Sequence, residues 1–303
     1  MEMMAGLAGQ LEEALGEFEA WGIRINMLGR LPACVSELRR FADAGQFPDG
    51  RRELKRAAHV VRDAQEFVEI ANVLPETRLR PLADSLQQAV AGQVGAESGP
   101  AAQFQSELWV GSMIAQSGRW TAVITDGGGK RPDFIVQNGT YLYPIEVKRP
   151  VSTLNAVDIV DRAGRQLRGS RYHGGGIVVD LSDCLPEDVA IRFGRGQPTG
   201  NPADENILQL TGELNHQIYD EDRGRIHQRR IHIFALLTFA RTIYWDLDDL
   251  QQIYLFRKVV TVEYYRGSPN NLRGHRARAL AETVHQGITV AGHQDLGQFG
   301  VQF

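Results

Sequence analysis

Residues Arg131 to Pro150 read RPDFIVQNGTYLYPIEVKRP, and the fold turns on this stretch. Asn138-Gly139 predicts a β-hairpin, because a type I′ turn needs positive φ at both central positions. The flanks, Phe134 to Val136 and Tyr141 to Tyr143, are rich in β-branched and aromatic residues, which favour strands. With Asn138 and Gly139 as the loop, Val136 faces Tyr141 and Asp133 faces Pro144. Side chains alternate faces along a strand, so Pro144, Glu146 and Lys148 share the face of Asp133. Phe134, Val136, Tyr141, Tyr143, Ile145 and Val147 collect on the other face, which reads as core. Two carboxylates and one ammonium are thus expected together at the end away from the turn. A bulge at Pro144 would shift the register, and a one-residue slip would separate the three groups.

Two hard oxygen ligands suit a Mg²⁺ ion that keeps several waters and takes a substrate phosphate. The ion would lower the pKa of a bound water and neutralise charge on phosphate, while a lysine beside it stabilises the attacking hydroxide. Pro132-Asp133, twelve intervening residues and then Glu146-Val147-Lys148 resemble the motif of the PD-(D/E)xK nuclease superfamily. The resemblance implies a restriction-endonuclease-like core of αβββαβ order, with a mixed sheet flanked by helices. It implies a Mg²⁺-dependent nuclease, with Mn²⁺ able to substitute, in which Asp133 and Glu146 bind metal and Lys148 is catalytic. The plain alternative is a surface hairpin whose three charges form an ordinary ion pair.

Outward from the hairpin, periodicity supplies the rest of the core. Residues from Ala101 to about Gln116 read as a helix with Phe104, Leu108, Gly111 and Ile114 inward. The resemblance points to Glu107 on this helix as a further metal ligand or water-orienting group; the alternative is a half-exposed surface glutamate. Trp120 to Thr125 reads as a strand. Asp126 and the glycines after it read as a loop, with Asp126 a weak extra ligand. After Pro150 a helix runs from Thr153 to about Ser170, with Ala156, Val157, Val160, Ala163 and Leu167 as its apolar stripe. By resemblance, Gln166 positions the nucleophile or the scissile strand. Its partner would be Tyr172, at a spacing of six where the exonuclease branch has four. Arg162, Arg165, Arg168 and Arg171 recur every three residues and can contact phosphate oxygens; pairing with Asp158 and Asp161 is the alternative. Ile177 to Leu181 is a continuous apolar run that reads as a buried parallel strand. The order from Ala101, namely helix, three strands, helix, strand, is an α/β pattern read from periodicity alone.

The flanks are less informative. Residues 1–95 read as an all-α bundle of four helices, 96–265 as the nuclease domain and 266–303 as a C-terminal extension. The third helix carries Arg51, Arg52, Lys55, Arg56 and Arg62, read as a solvated face or a nucleic-acid surface. Such a bundle is expected to serve homo-oligomerisation or a regulatory partner. Residues 92–100 have linker composition. Residues 223–230 are basic, and Asp246, Asp248 and Asp249 are expected to cap a following helix rather than bind metal. A short helix is expected from Arg278 to His285.

Whole-chain properties bound the function. The 303 residues carry a net charge of -4 at a pI near 6.1, so any DNA surface must be local. RNA is less supported, because no aromatic stacking motif stands out. Two cysteines, Cys34 and Cys184, give no disulfide framework and fit a reducing cytoplasm. No signal peptide or membrane span is expected.

Overall fold

The computed structural model describes residues 2–44, 50–73, 83–91, 100–116, 120–122, 132–138, 141–169, 174–196, 198, 204–220, 233–248, 253–264 and 272–290. In chain order the elements are α1 (Glu2–Ala20), α2 (Arg30–Ala44), α3 (Arg51–Val73), α4 (Ala83–Val90), α5 (Pro100–Gln116), β1 (Trp120–Ala122), β2 (Phe134–Asn138), β3 (Tyr141–Lys148), α6 (Ala156–Gly169), β4 (Gly175–Asp180), α7 (Glu187–Ala190), β5 (Ile191–Gly194), α8 (Asp204–Asp220), β6 (Ile233–Asp246), β7 (Ile253–Tyr264) and α9 (Leu272–Val290). The architecture is α/β: helices pack on a mixed sheet of seven strands.

The hairpin forms with a register that differs from expectation. Val136 pairs with Tyr143 and Asn138 with Tyr141, so Asn138 belongs to the ladder rather than to the two-residue loop expected at Asn138-Gly139. Each residue of β2 thus faces a partner two positions further along β3 than the turn chemistry implied. A two-residue shift leaves the parity of the pleat unchanged, so the described side chains keep their expected faces. Phe134, Val136, Tyr143, Ile145 and Val147 are buried together, as the core face requires.

β1 pairs antiparallel with β2, and β3 pairs parallel with β4 across the α6 crossover. β4 begins two residues earlier than the apolar run, at Gly175. A Cβ there would lie 2.0 Å from the Pro144 carbonyl oxygen, so only glycine allows this approach of β4 to β3. β6 accepts β4 along its first half and β5 along its second, both parallel. β7 pairs antiparallel along nearly all of β6 and therefore occupies its other edge.

Alternate residues of β4 belong to two apolar clusters. Ile177 and Val179 pack with Val160, Ala163 and Leu167 of α6. Val178 joins Trp109, Val110 and Met113 of α5 and Leu280 of α9. Successive strand residues face opposite ways, so these clusters cover the two faces of the sheet. The α5 cluster continues without a break into the N-terminal helices through Phe67, Phe18 and Leu11. The C-terminal helix α9 is longer than the expected 278–285 segment and belongs to this core through Ala277, Leu280 and Val284.

The N-terminal helices follow their apolar periodicity. α1 buries Leu7, Leu11, Leu15 and Phe18 and is closed off by Gly22, two residues past its end, whose φ is 89°. Ile23 N donates to Phe18 O and Gly22 N to Glu19 O, a Schellman motif that needs the glycine. The reading of α3 is corrected at Arg62, which is buried rather than on a solvated face; Asp63, Gln65, Glu66 and Glu69 near it are buried too. Three of them, Asp63, Glu66 and Glu69, find partners on other elements. Asp63 pairs with Arg30 at 2.6 Å. Glu66 accepts Gln105 Nε2 at 2.5 Å and forms an ion pair with Arg241 of β6. Glu69 accepts Trp109 Nε1 at 2.6 Å. Only the first turns of α3 present basic residues outward, and Arg56 there pairs with Glu37 at 2.9 Å.

Arg241 is the hub of this buried chain. It pairs with Asp180 at the end of β4 as well as Glu66, and its guanidinium lies 4.8 Å from the centre of the Trp109 ring. Asp180 also accepts the hydroxyls of Ser106 and Ser182. Arg149, next to Lys148, holds Asp183 through Nε at 2.7 Å and Nη2 at 2.8 Å. The bundle, α5 and the sheet are therefore joined by charge as well as by apolar packing.

The expectation of a capping role for the Asp246 cluster is also revised. Asp246 accepts Asp248 N and Gly196 N, each at 2.9 Å, and so shapes two turns. The next described element is β7, not a helix. Asp249 lies outside the described residues, as do Leu79, Leu82, Asp126, residues 92–99 and residues 223–230.

Candidate functional site

β2 begins one residue after Asp133, and the backbone of Asp133 closes the ladder by donating to Ile145 O at 3.0 Å. Continuing the register sets Asp133 opposite Glu146. Beyond that point β3 runs on without β2, and its edge is completed by side chains. Val147 N donates to Asp133 Oδ2 at 2.6 Å. Gln103 of α5 takes the next two positions: its Nε2 donates to Val147 O at 2.7 Å, and its Oε1 accepts Arg149 N at 2.8 Å.

Asp133, Glu146 and Lys148 meet at this end of the sheet. Lys148 Nζ lies 2.8 Å from Glu146 Oε2 and 3.5 Å from Asp133 Oδ2. The Glu146 side chain is 0% exposed and that of Lys148 17%. Glu107, one helical turn after Gln103, joins the group and accepts Gln103 Nε2 at 2.7 Å. Thus α5, the residue before β2 and the end of β3 deliver three carboxylates and one ammonium to one place.

The electrostatics are those of too many negative charges with too little water. Burial, then the Asp133 charge, pushes the Glu107 carboxyl up to about 8. Glu146 is pushed up to about 8 by the same two causes in the same order, against the pull of Lys148. Burial also raises Asp133, although Lys148 and Val147 N oppose it. Burial alone would lower the Lys148 ammonium, but Asp133 and Glu146 outweigh it and carry it up to about 12. The lysine therefore stays charged, while the carboxyls compete for one cation.

The donor set suits a hard divalent ion: carboxylate oxygens from three elements with a lysine alongside. Glu146 Oε1 is buried and has no hydrogen-bond partner among the described residues. Such an orphaned oxygen carries a desolvation cost that a cation would offset. At the same time, no group of three or more His, Cys, Asp or Glu among the described residues stands ready-arranged around a metal position. The Lys148 ammonium itself lies between Asp133 and Glu146, so a bound ion would share or displace that place.

The other expected residues are not brought here. Gln166 is half-buried near the end of α6 and makes no hydrogen bond to the cluster among the described residues. Gly164, two residues earlier, packs against Ile233, which pairs with Gly175 at the start of β4. Lys148 lies level with Val179, near the other end of β4. Gln166 and Lys148 thus sit toward opposite ends of the sheet. Arg162, Arg165 and Arg168 lie exposed along the outer side of α6. Arg171 and Tyr172 fall outside the described residues, as do His232 and His293, and His275 is an exposed residue of α9. Sequence reasoning missed Gln103, although its place four residues before Glu107 on one helix is a usable signal. It also missed Asp180, Asp183 and Arg241, which no local pattern joins.

Comparisons with protein families, with curated proteins and with solved structures find no match to this chain. Among the described residues no helix is long and apolar enough to cross a membrane.

Proposed function

We propose that this chain is a metal-dependent phosphodiesterase acting on nucleic acid, most directly a DNA endonuclease with a restriction-endonuclease-like core. The observation that carries the reading is the convergence of Asp133, Glu146 and Lys148 at the end of one hairpin, with Glu107 added from α5. Asp133 and Glu146 would hold Mg²⁺ or Mn²⁺, and Glu107 would complete the set. When bound, the ion would act as a Lewis acid on a phosphate oxygen and make a bound water acidic. Lys148 Nζ orients the attacking hydroxide and faces the charge that grows on the phosphate in the transition state. A water that has given up a proton to solvent would add to phosphorus in line as hydroxide, the opposite P–O bond would break, and the leaving oxygen would take up a proton from solvent water. The exposed arginines of α6 supply phosphate contacts without reading bases. The helices of residues 1–95 regulate the activity or bind a partner or second copy.

The test is cleavage of supercoiled plasmid, linear duplex and single-stranded DNA with Mg²⁺ or Mn²⁺. Wild type should cut, and Asp133→Ala and Lys148→Ala, folded by circular dichroism, should lose about 10²-fold or more. Cutting that survives both substitutions would sink the reading.

A second reading, a DNA-binding subunit that does not cut, draws on one observation. Lys148 already sits 2.8 Å and 3.5 Å from the two carboxylates, where a cation belongs. Tight metal-independent DNA binding with no cleavage would favour it.

A further inference from the structure

We infer that Gln103 is a positioning residue, which fixes the Glu107 carboxylate to the strand that carries Glu146 and Lys148. The inference rests on the metal-site reading above and deepens it. A glutamine amide has two N–H donors and one carbonyl acceptor. At Gln103 all three are engaged. Nε2 donates to Glu107 Oε1 and to Val147 O, each at 2.7 Å. Oε1 accepts Arg149 N at 2.8 Å.

The two contacts to the strand bracket Lys148, reaching the residue before it and the residue after it. They fall on the stretch of β3 edge that β2 leaves uncovered, so the amide replaces the peptide group of a missing neighbour strand. The third contact goes to the one carboxylate of the site that comes from a helix. One planar group therefore sets the distance between α5 and β3 at the site. Arg149 adds to the fastening, since its Nη1 donates to Ala102 O at 3.4 Å. Without Gln103, Glu107 would keep its place on the helix but lose its donor and its tie to the strand. Ligand-orienting groups of this kind typically alter metal affinity about 10–100-fold.

The competing role is purely structural, an edge cap for β3 with no bearing on Glu107. Mn²⁺ titration of the full chain, followed by electron paramagnetic resonance of the free ion, separates the two. Gln103→Met keeps the volume and removes all three hydrogen bonds. It should weaken Mn²⁺ binding about tenfold or more in the wild-type background. In a Glu107→Gln background the same change should matter less than about twofold, because the group it positions is gone. Should Gln103→Met not fold, Gln103→Ala carries the same cycle. Equal losses in both backgrounds, or unchanged Mn²⁺ affinity in the folded single variant, would overturn the inference while leaving the metal site intact. A wild-type chain that binds no Mn²⁺ would overturn the site reading and this inference with it.

Discussion

Two clusters of buried charge meet at neighbouring residues, Lys148 and Arg149, and they have opposite characters. Around Arg149 and Arg241, the carboxylates of Asp180, Asp183 and Glu66 face two guanidiniums and the hydroxyls of Ser106 and Ser182. Around Lys148, the carboxylates of Asp133, Glu146 and Glu107 face one ammonium. Burial penalises the charged form in both. For Asp180 the guanidiniums of Arg241 and Arg149 overcome that penalty and hold the carboxyl well below its usual range. For Glu146 and Glu107 the single lysine does not, and both stand near 8. The difference lies in the number of donors, not in depth. A cluster with donors enough for its carboxylates fastens elements together; one with too few is a place for a cation from outside.

The comparison breaks most visibly by removing each cation in turn. Arg241→Met takes from buried Glu66 its ion-pair partner and from Asp180 its nearer guanidinium, and urea unfolding should register a loss of about 3–5 kcal/mol. Lys148→Met should cost much less in the same experiment. Carboxyls already raised toward 8 take up a proton at neutral pH instead of staying charged and unpaired. Equal losses would mean that the two clusters do the same job.

A smaller effect follows from pH. Glu107 and Glu146 have folded values near 8 against an ordinary 4.5, so the folded chain holds more protons than the unfolded chain between those limits. Their contribution to stability is full below about 4.5 and is lost as pH rises through 8. Asp180 is shifted down, so its contribution is present above its ordinary 3.8 and is lost only as pH falls below that value. Unfolding midpoints measured from pH 5 to 9 should therefore decline, and Glu146→Gln should flatten the decline. An unchanged slope in that variant would remove the site from the account.

The smallest effect on stability is expected at the α6 surface. Arg162→Ala, Arg165→Ala and Arg168→Ala should each leave stability within about 0.5 kcal/mol. DNA binding followed against salt should lose roughly 0.9 in logarithmic slope for each phosphate contact removed. An unchanged slope would place the DNA elsewhere.

The contrast between the clusters also explains what could be read in the sequence. Asp133, Glu146 and Lys148 share a hairpin face, and face depends only on the parity of the register. The two-residue shift between β2 and β3 is therefore harmless, where a shift of one would have scattered them. The helix, three strands, helix and strand from α5 to β4 were legible because apolar periodicity is local. The Arg241 network was not, since Arg241 lies 61 residues from Asp180 and 135 from Ser106. For the same reason the charges of α3 looked solvent-facing, although partners on α2, α5 and β6 bury them. Gln166 was carried over from a resemblance, and the course of α6 places it away from Lys148.

Thermal unfolding above pH 8, with and without Mn²⁺, tests the central claim most directly. There Asp133, Glu146 and Glu107 are most charged and the lack of positive charge is greatest. The account predicts that Mn²⁺ stabilises the wild-type chain, by about 2.7 kcal/mol at a hundred times its Kd. It predicts no such gain in Asp133→Ala, while Arg241→Met, though weaker overall, should still respond. An equal response in wild type and Asp133→Ala, or none in wild type, would contradict a cation site at the end of the hairpin.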